Sequence, residues 1–138
     1  MQRLLLAAAL GGVIGAEREF RRKTAGLRTN ILTTLGAAIF TIISISIGGS
    51  DAGRIAAQVV TGIGFLGAGA IMRTESGVHG LTTAATVWVN AALGMAAGAG
   101  HYHLAMIGGF ITISVLLVLA PFERLLERHQ PNGAIDRH

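Results

Sequence analysis

The sequence predicts an all-α integral membrane protein: about five transmembrane helices packed through glycine and alanine, N-terminus outside, C-terminus cytoplasmic. Three observations carry that prediction. Only 13% of the 138 residues are charged, against roughly 25% in a soluble domain, and mean hydropathy is +0.60. The charges flank long uncharged runs at Thr29–Ser50, Ile55–Met72, Val78–Gly100 (broken only by His79) and Leu104–Phe122. Each is near or above the roughly 18 residues that read as a bilayer-crossing helix. Finally, most of the 20 glycines lie inside apolar runs. Glycine costs about 1 kcal/mol relative to Ala in a water-exposed helix, but in lipid small residues let helix backbones approach closely.

The expected spans are 3–17, 30–49, 54–72, 81–99 and 104–121. The first is short. Arg3 and Arg18 can snorkel to the two interfaces and let it cross with local thinning; an interfacial helix is the alternative. A signal peptide cleaved after Ala16 is disfavoured, because five basic residues between Glu17 and Arg28 would then be exported. With five spans, Arg18, Arg21, Arg22, Lys23, Arg28, Arg73, Arg124, Arg128 and Arg137 fall on one side and only Arg3 and Arg54 on the other. The positive-inside rule assigns the nine to the cytoplasm. Residues 1–122 form one transmembrane domain, and 123–138 a short amphipathic cytoplasmic tail.

Within the third span, Thr61-Gly-Ile-Gly-Phe-Leu-Gly67 contains G-x-G-x-x-G. A dinucleotide loop needs a preceding strand and an acidic residue about 20 positions on. Residues 82–90 hold no acid, so Gly62, Gly64, Gly67 and Gly69 read as helix-packing positions instead. Gly11-x-x-x-Gly15 and Gly94-x-x-x-Gly98 make similar faces on the first and fourth helices. On this count the third helix is expected to be the most central.

Four polar groups stand out. Asp51, Arg54 and Gln58 share one face at the outer end of the third helix. They read either as a cap and an interfacial anchor or as the mouth of a partner or ion site. Glu17 stands at a membrane boundary among basic residues that anchoring otherwise explains. Thr82, Thr86 and Asn90 form an i, i+4, i+8 stripe on the fourth helix, next to Thr83. Such a stripe serves as interhelical or backbone hydrogen bonding or as a cavity lining. His101-Tyr-His103 reads as an interfacial Tyr with flanking histidines, since no third metal ligand accompanies it. No catalytic set is visible: there is no cysteine and no paired intramembrane carboxylates. No enzyme, cofactor or metal site is therefore expected. The pI near 11.1 points to anionic lipid rather than nucleic acid, because most basic residues flank apolar runs.

The ordered blocks Glu17-Arg18-Glu19, Lys23-x-Ala-Gly-Leu-Arg28-Thr29, Leu35-Gly-Ala-Ala38, Asp51-x-x-Arg54-Ile-Ala-Ala-Gln58-Val-Val60, Gly62-Ile-Gly-Phe-Leu-Gly-Ala-Gly-Ala-Ile71 and Gly80-Leu-Thr-Thr-Ala-Ala-Thr86-x-Trp88 resemble the MgtC/SapB family of bacterial inner-membrane proteins. The resemblance covers about residues 10–102. It implies a small multi-helix domain linked to adaptation to low magnesium, and in pathogens to survival inside host cells. It also implies roles for Glu17, Arg28, Asp51, Arg54, Gln58 and Thr82. Two departures are expected to matter: the Pro that many members carry near Asp51 is absent, and the soluble C-terminal domain that many members carry is not among residues 1–138. Mg²⁺ prefers six oxygens and sheds water reluctantly, while the only carboxylates near the bilayer, Glu17 and Asp51, are expected on opposite sides. That shortage of ligands favours modulation of a membrane partner, and the resemblance implies a membrane ATPase as such a partner. A small cation (Mg²⁺) transporter or channel subunit is the alternative. Expected partners are membrane lipids and either a second copy or another inner-membrane protein.

Overall fold

The computed structural model describes residues 1–48, 52–75 and 77–127. Five helices dominate: α1 (Gln2–Phe20), α2 (Leu27–Ile47), α3 (Ala52–Gly69), α4 (Leu81–Ala99) and α5 (Tyr102–Glu127). Between α3 and α4 stands a small hairpin of β1 (Met72–Thr74) and β2 (Gly77–His79). Its register pairs Met72 with His79 and Thr74 with Gly77. The sequence reading had no strand here and ran the third span to 72. The helix instead stops at Gly69, and β2 opens on Gly77 at φ +129. The fifth helix runs on through Pro121 to Glu127.

α1 buries Ala7, Gly11, Ile14, Gly15 and Arg18, the i, i+4, i+7, i+8 stripe of a helix with one packed side. It ends where Arg22 takes a positive φ of 53 and the Lys23 N–H returns to the Arg18 carbonyl at 3.0 Å. The Glu19 carboxylate then accepts the Leu27 N–H at 2.9 Å, placing negative charge at the N-terminus of α2, where the helix dipole favours it.

The centre is made by α1, α2 and α4. A Cβ on Gly11 would sit 2.7 Å from the Asn30 carbonyl oxygen, and one on Gly15 would sit 2.9 Å from the Leu27 Cα. A Cβ on Gly94 would lie 2.9 Å from the Thr34 carbonyl carbon, and one on Gly98 2.6 Å from the Ala38 oxygen. Glycine is required at all four, because a side chain would meet backbone. The pairings descend α2 as α1 advances and climb it as α4 advances. α2 is thus antiparallel to α1 and parallel to α4. Ala7, Ala38, Ala97 and Ala105 form one core cluster, and Ile14, Leu93 and Leu116 another.

α3 lies at the edge, not at the centre as its glycine content suggested. Gly62, Gly64 and Gly69 have nothing within 4 Å of an added Cβ, and Gly67 makes only ordinary contact with Ala84 at 3.7 Å. Counting small residues shows that a face is thin, not that a neighbour fills it. Trp88 is half-exposed, because α2 occupies the groove at Gly94 and Gly98.

The exterior is apolar. Phe40, Phe65, Phe110, Ile107 and Val118 point outward, and two helices, Leu27–Ile47 and Tyr102–Leu119, are long and apolar enough to cross a membrane. Water does not favour so large an apolar surface; this is the surface of a membrane protein.

Candidate functional site

Where α1, α2 and α4 meet near the Arg21–Gly26 connection, polar side chains are buried together. Glu17, Arg18, Asn30, Thr83, Thr86 and Asn90 are all under 9% exposed, Asn30 and Asn90 at 0%. Arg18 reaches across to α4, its Nη2 donating to Thr83 Oγ1 at 3.0 Å. It also lies 3.8 Å from the Glu17 carboxylate, whose other oxygen pairs with Arg21 one helical turn on. A buried carboxylate is costly unless paired; here two guanidinium groups neutralise it.

Asn30 is the second anchor. Its Nδ2 donates to the carbonyls of Ala25 and Gly26 at 2.8 and 2.7 Å, closing the start of α2. Its Oδ1 accepts from Asn90 Nδ2, so one amide pair ties α2 to α4. Thr34 and Thr86 bond back to their own helices, Thr34 Oγ1 to the Asn30 carbonyl at 3.0 Å and Thr86 Oγ1 to the Thr82 carbonyl at 2.7 Å. Among the described residues, four buried side-chain atoms have no hydrogen-bond partner: Arg18 Nε, Asn90 Oδ1 and the two Glu17 carboxylate oxygens, which are held by their ion pairs alone.

Of the residues singled out in the sequence, Glu17, Thr86 and Asn90 come together here. Thr82 is exposed; the helical turn carries Thr83 into the bundle in its place. Arg28 is exposed as well. Arg54 and Gln58 stand elsewhere, on a groove between α2 and α3, and Asp51 lies outside the described residues. Arg18, Asn30 and Thr34 were missed. Arg18 had been counted as one of several interfacial cations, and Asn30 as the polar edge of a span. One signal was available: an amide just inside an apolar run costs free energy unless it is bonded.

A second clamp holds the opposite end of α1. Arg3 Nη1 donates to the Gly98 carbonyl at 2.9 Å, satisfying a carbonyl that the end of α4 leaves without a helical partner. Arg3 and Arg18 thus fasten α1 lengthwise and antiparallel along α4.

Comparison with known proteins agrees with this helical body. Over 135 residues the chain is 49% identical to YhiD of Escherichia coli strain K12, whose name marks it as a candidate magnesium transporter; the match covers 91% of this chain and 61% of that one. It is 48% identical over 116 residues to the protein MgtC of Salmonella typhimurium, covering 84% and 50%. With MgtC of Brucella abortus it shares 46% over 138 residues, covering 94% and 58%. The chain therefore spans about half to three-fifths of the length of these curated relatives. No solved structure matches it significantly. Residues 4–125 match the MgtC family, a stretch that reaches into all five helices and holds the Arg18–Thr83 clamp, with Arg3 just outside it: the chain belongs to the MgtC family.

Proposed function

We propose that this chain is a multi-pass protein of the bacterial inner membrane, N-terminus outside, that serves magnesium-linked homeostasis by packing against a membrane partner such as an ATPase. The magnesium link follows from similarity to relatives whose names carry it. The lengthwise packing of α1 along α4 supports five spans over an interfacial first helix. With α1 crossing, the nine-to-two distribution of Arg and Lys sets the orientation.

One observation carries the mode of action. The buried carboxylate, Glu17, is held between Arg18 and Arg21. The polar groups around it bond largely to each other and to backbone. Mg²⁺ demands several oxygen ligands in near-octahedral array, and two adjacent guanidinium groups repel a divalent cation. The cluster is built to hold three helices together. α3 meanwhile leaves Gly64 uncovered, off the groove that Gly62 lines, a place where another transmembrane helix can seat closely.

The test is ion flux in proteoliposomes, wild type beside Asp51→Asn, for Mg²⁺, Na⁺, K⁺ and H⁺. Folded protein that passes no ion is the expected result. Saturable Mg²⁺ flux that Asp51→Asn removes would replace this reading with a transporter.

A further inference from the structure

α3 stands off α2 along most of its length and leaves a groove of about 760 Å³. Its walls are almost wholly apolar: Leu32, Ala37, Phe40 and Ile47 from α2 face Ile63 and Leu66 of α3. Gly62 lines it with nothing within 4 Å of an added Cβ. From Leu32 to Ile47 is 15 residues, or about 22 Å of helix at 1.5 Å per residue. That exceeds one leaflet, half of a hydrocarbon core roughly 30 Å thick, so the groove is long enough for an acyl chain along its full reach.

The far end holds one polar residue, the buried Thr33, and the charged and amide side chains stand at the other end only. Arg54 and Gln58 line the groove beside Ile47 and Ile55, at the end the proposed orientation places at the outer interface. Arg54 has an interaction of its own, yet a guanidinium carries five N–H donors and readily serves a second acceptor. Cation and amide at the rim, hydrocarbon below: the order matches a phosphate above its chain.

We propose that the α2/α3 groove is a binding site for one anionic phospholipid of the outer leaflet, its acyl chain along Leu32–Ile47 and its phosphate on Arg54 and Gln58. The proposal rests on the membrane orientation given above. Gln58 is then a headgroup ligand, and Gly62 is glycine because a side chain there would fill the chain's path.

Native mass spectrometry of protein extracted in mild detergent tests it, with phosphatidylglycerol and phosphatidylethanolamine offered in equal amounts. Wild type should retain one phospholipid and favour phosphatidylglycerol about tenfold, or about 1.4 kcal/mol, because the ammonium of phosphatidylethanolamine opposes Arg54 while both lipids offer it a phosphate. Arg54→Gln should erase that preference. Gly62→Leu should lose the lipid, while Gly64→Leu, equally uncrowded but off the groove, should keep it. Retention unchanged in Gly62→Leu, or a dimer that carries no lipid, overturns the proposal. Carbonate extraction of the same membranes separates the two readings. Protein that stays in the pellet yet carries no lipid sinks only the lipid site, and protein released to the supernatant sinks the membrane orientation with it.

Discussion

Gly94→Ala and Gly64→Ala should move stability in opposite directions. At Gly94 the new Cβ would lie 2.9 Å from the Thr34 carbonyl carbon and 3.0 Å from Ala37 Cβ, where carbon atoms pack at about 3.5–4.0 Å. α2 and α4 must part by roughly 0.5–1 Å to meet that spacing. No rotamer relieves the clash, because the atoms met are backbone and a Cβ. Overpacking of this kind costs about 1–3 kcal/mol, with the upper end apt for two helix backbones in contact, while alanine returns at most about 1 kcal/mol of helix propensity. The net is destabilisation by about 2 kcal/mol, or about 8 °C in Tm at roughly 4 °C per kcal/mol for a chain of this size. Gly64 meets nothing within 4 Å, so Gly64→Ala keeps only the propensity gain and raises Tm by up to about 4 °C. Thermal unfolding in detergent, followed by the monodisperse fraction on size exclusion, reads both. If Gly94→Ala matches or exceeds wild type, or if Gly64→Ala falls as far, the assignment of a closed α2/α4 contact and an open α3 face is wrong.

Three further expectations can be checked with the same protein. Arg18→Met leaves Glu17 with Arg21 alone and frees Thr83, and should cost about 3–5 kcal/mol; Glu17→Gln/Arg18→Met should regain most of it in the same unfolding assay. Asn90→Ala leaves the buried Asn30 Oδ1 without its donor and should cost about 1–3 kcal/mol, with Asn30→Ala/Asn90→Ala falling short of the sum of the two single losses. The sequence has no cysteine, so single substitutions report sidedness directly. Thr24→Cys should resist an impermeant thiol reagent in intact spheroplasts, and His101→Cys should react with it; the reverse pattern would invert the orientation.

Much of the fold was legible because a bilayer imposes lengths. The uncharged runs marked helices near their observed places, and the Gly11–Gly15 and Gly94–Gly98 faces do meet backbone. The hairpin was not legible: strands of three residues give no period to read. α3 misled because small residues show where a neighbour could come close, not whether one does. The polar site was half visible. Asn90 and Glu17 stood out as polar groups in apolar surroundings, whereas Arg18 was hidden among other cations and Asn30 at a span edge. Which threonine of the pair faces inward turned on a rotation of 100° per residue. The sequence left Thr82 and Thr83 one step apart, and only packing chose between them.

The two clamps on α1 carry a consequence for how the chain is made. α1 is not among the helices apolar enough to be retained by composition alone, and its arginines find their acceptors 65 and 95 residues later, at Thr83 and Gly98. At roughly 5–20 residues per second of synthesis, α1 emerges several seconds before either acceptor exists. During that interval α2, on which Gly11 and Gly15 pack, is the neighbour that holds α1, and the two arginines stay without these acceptors until α4 arrives. Truncation before Leu81 should therefore leave α1 paired with α2 but loosely held, making the fastening of the first helix a late event in the protein's biogenesis.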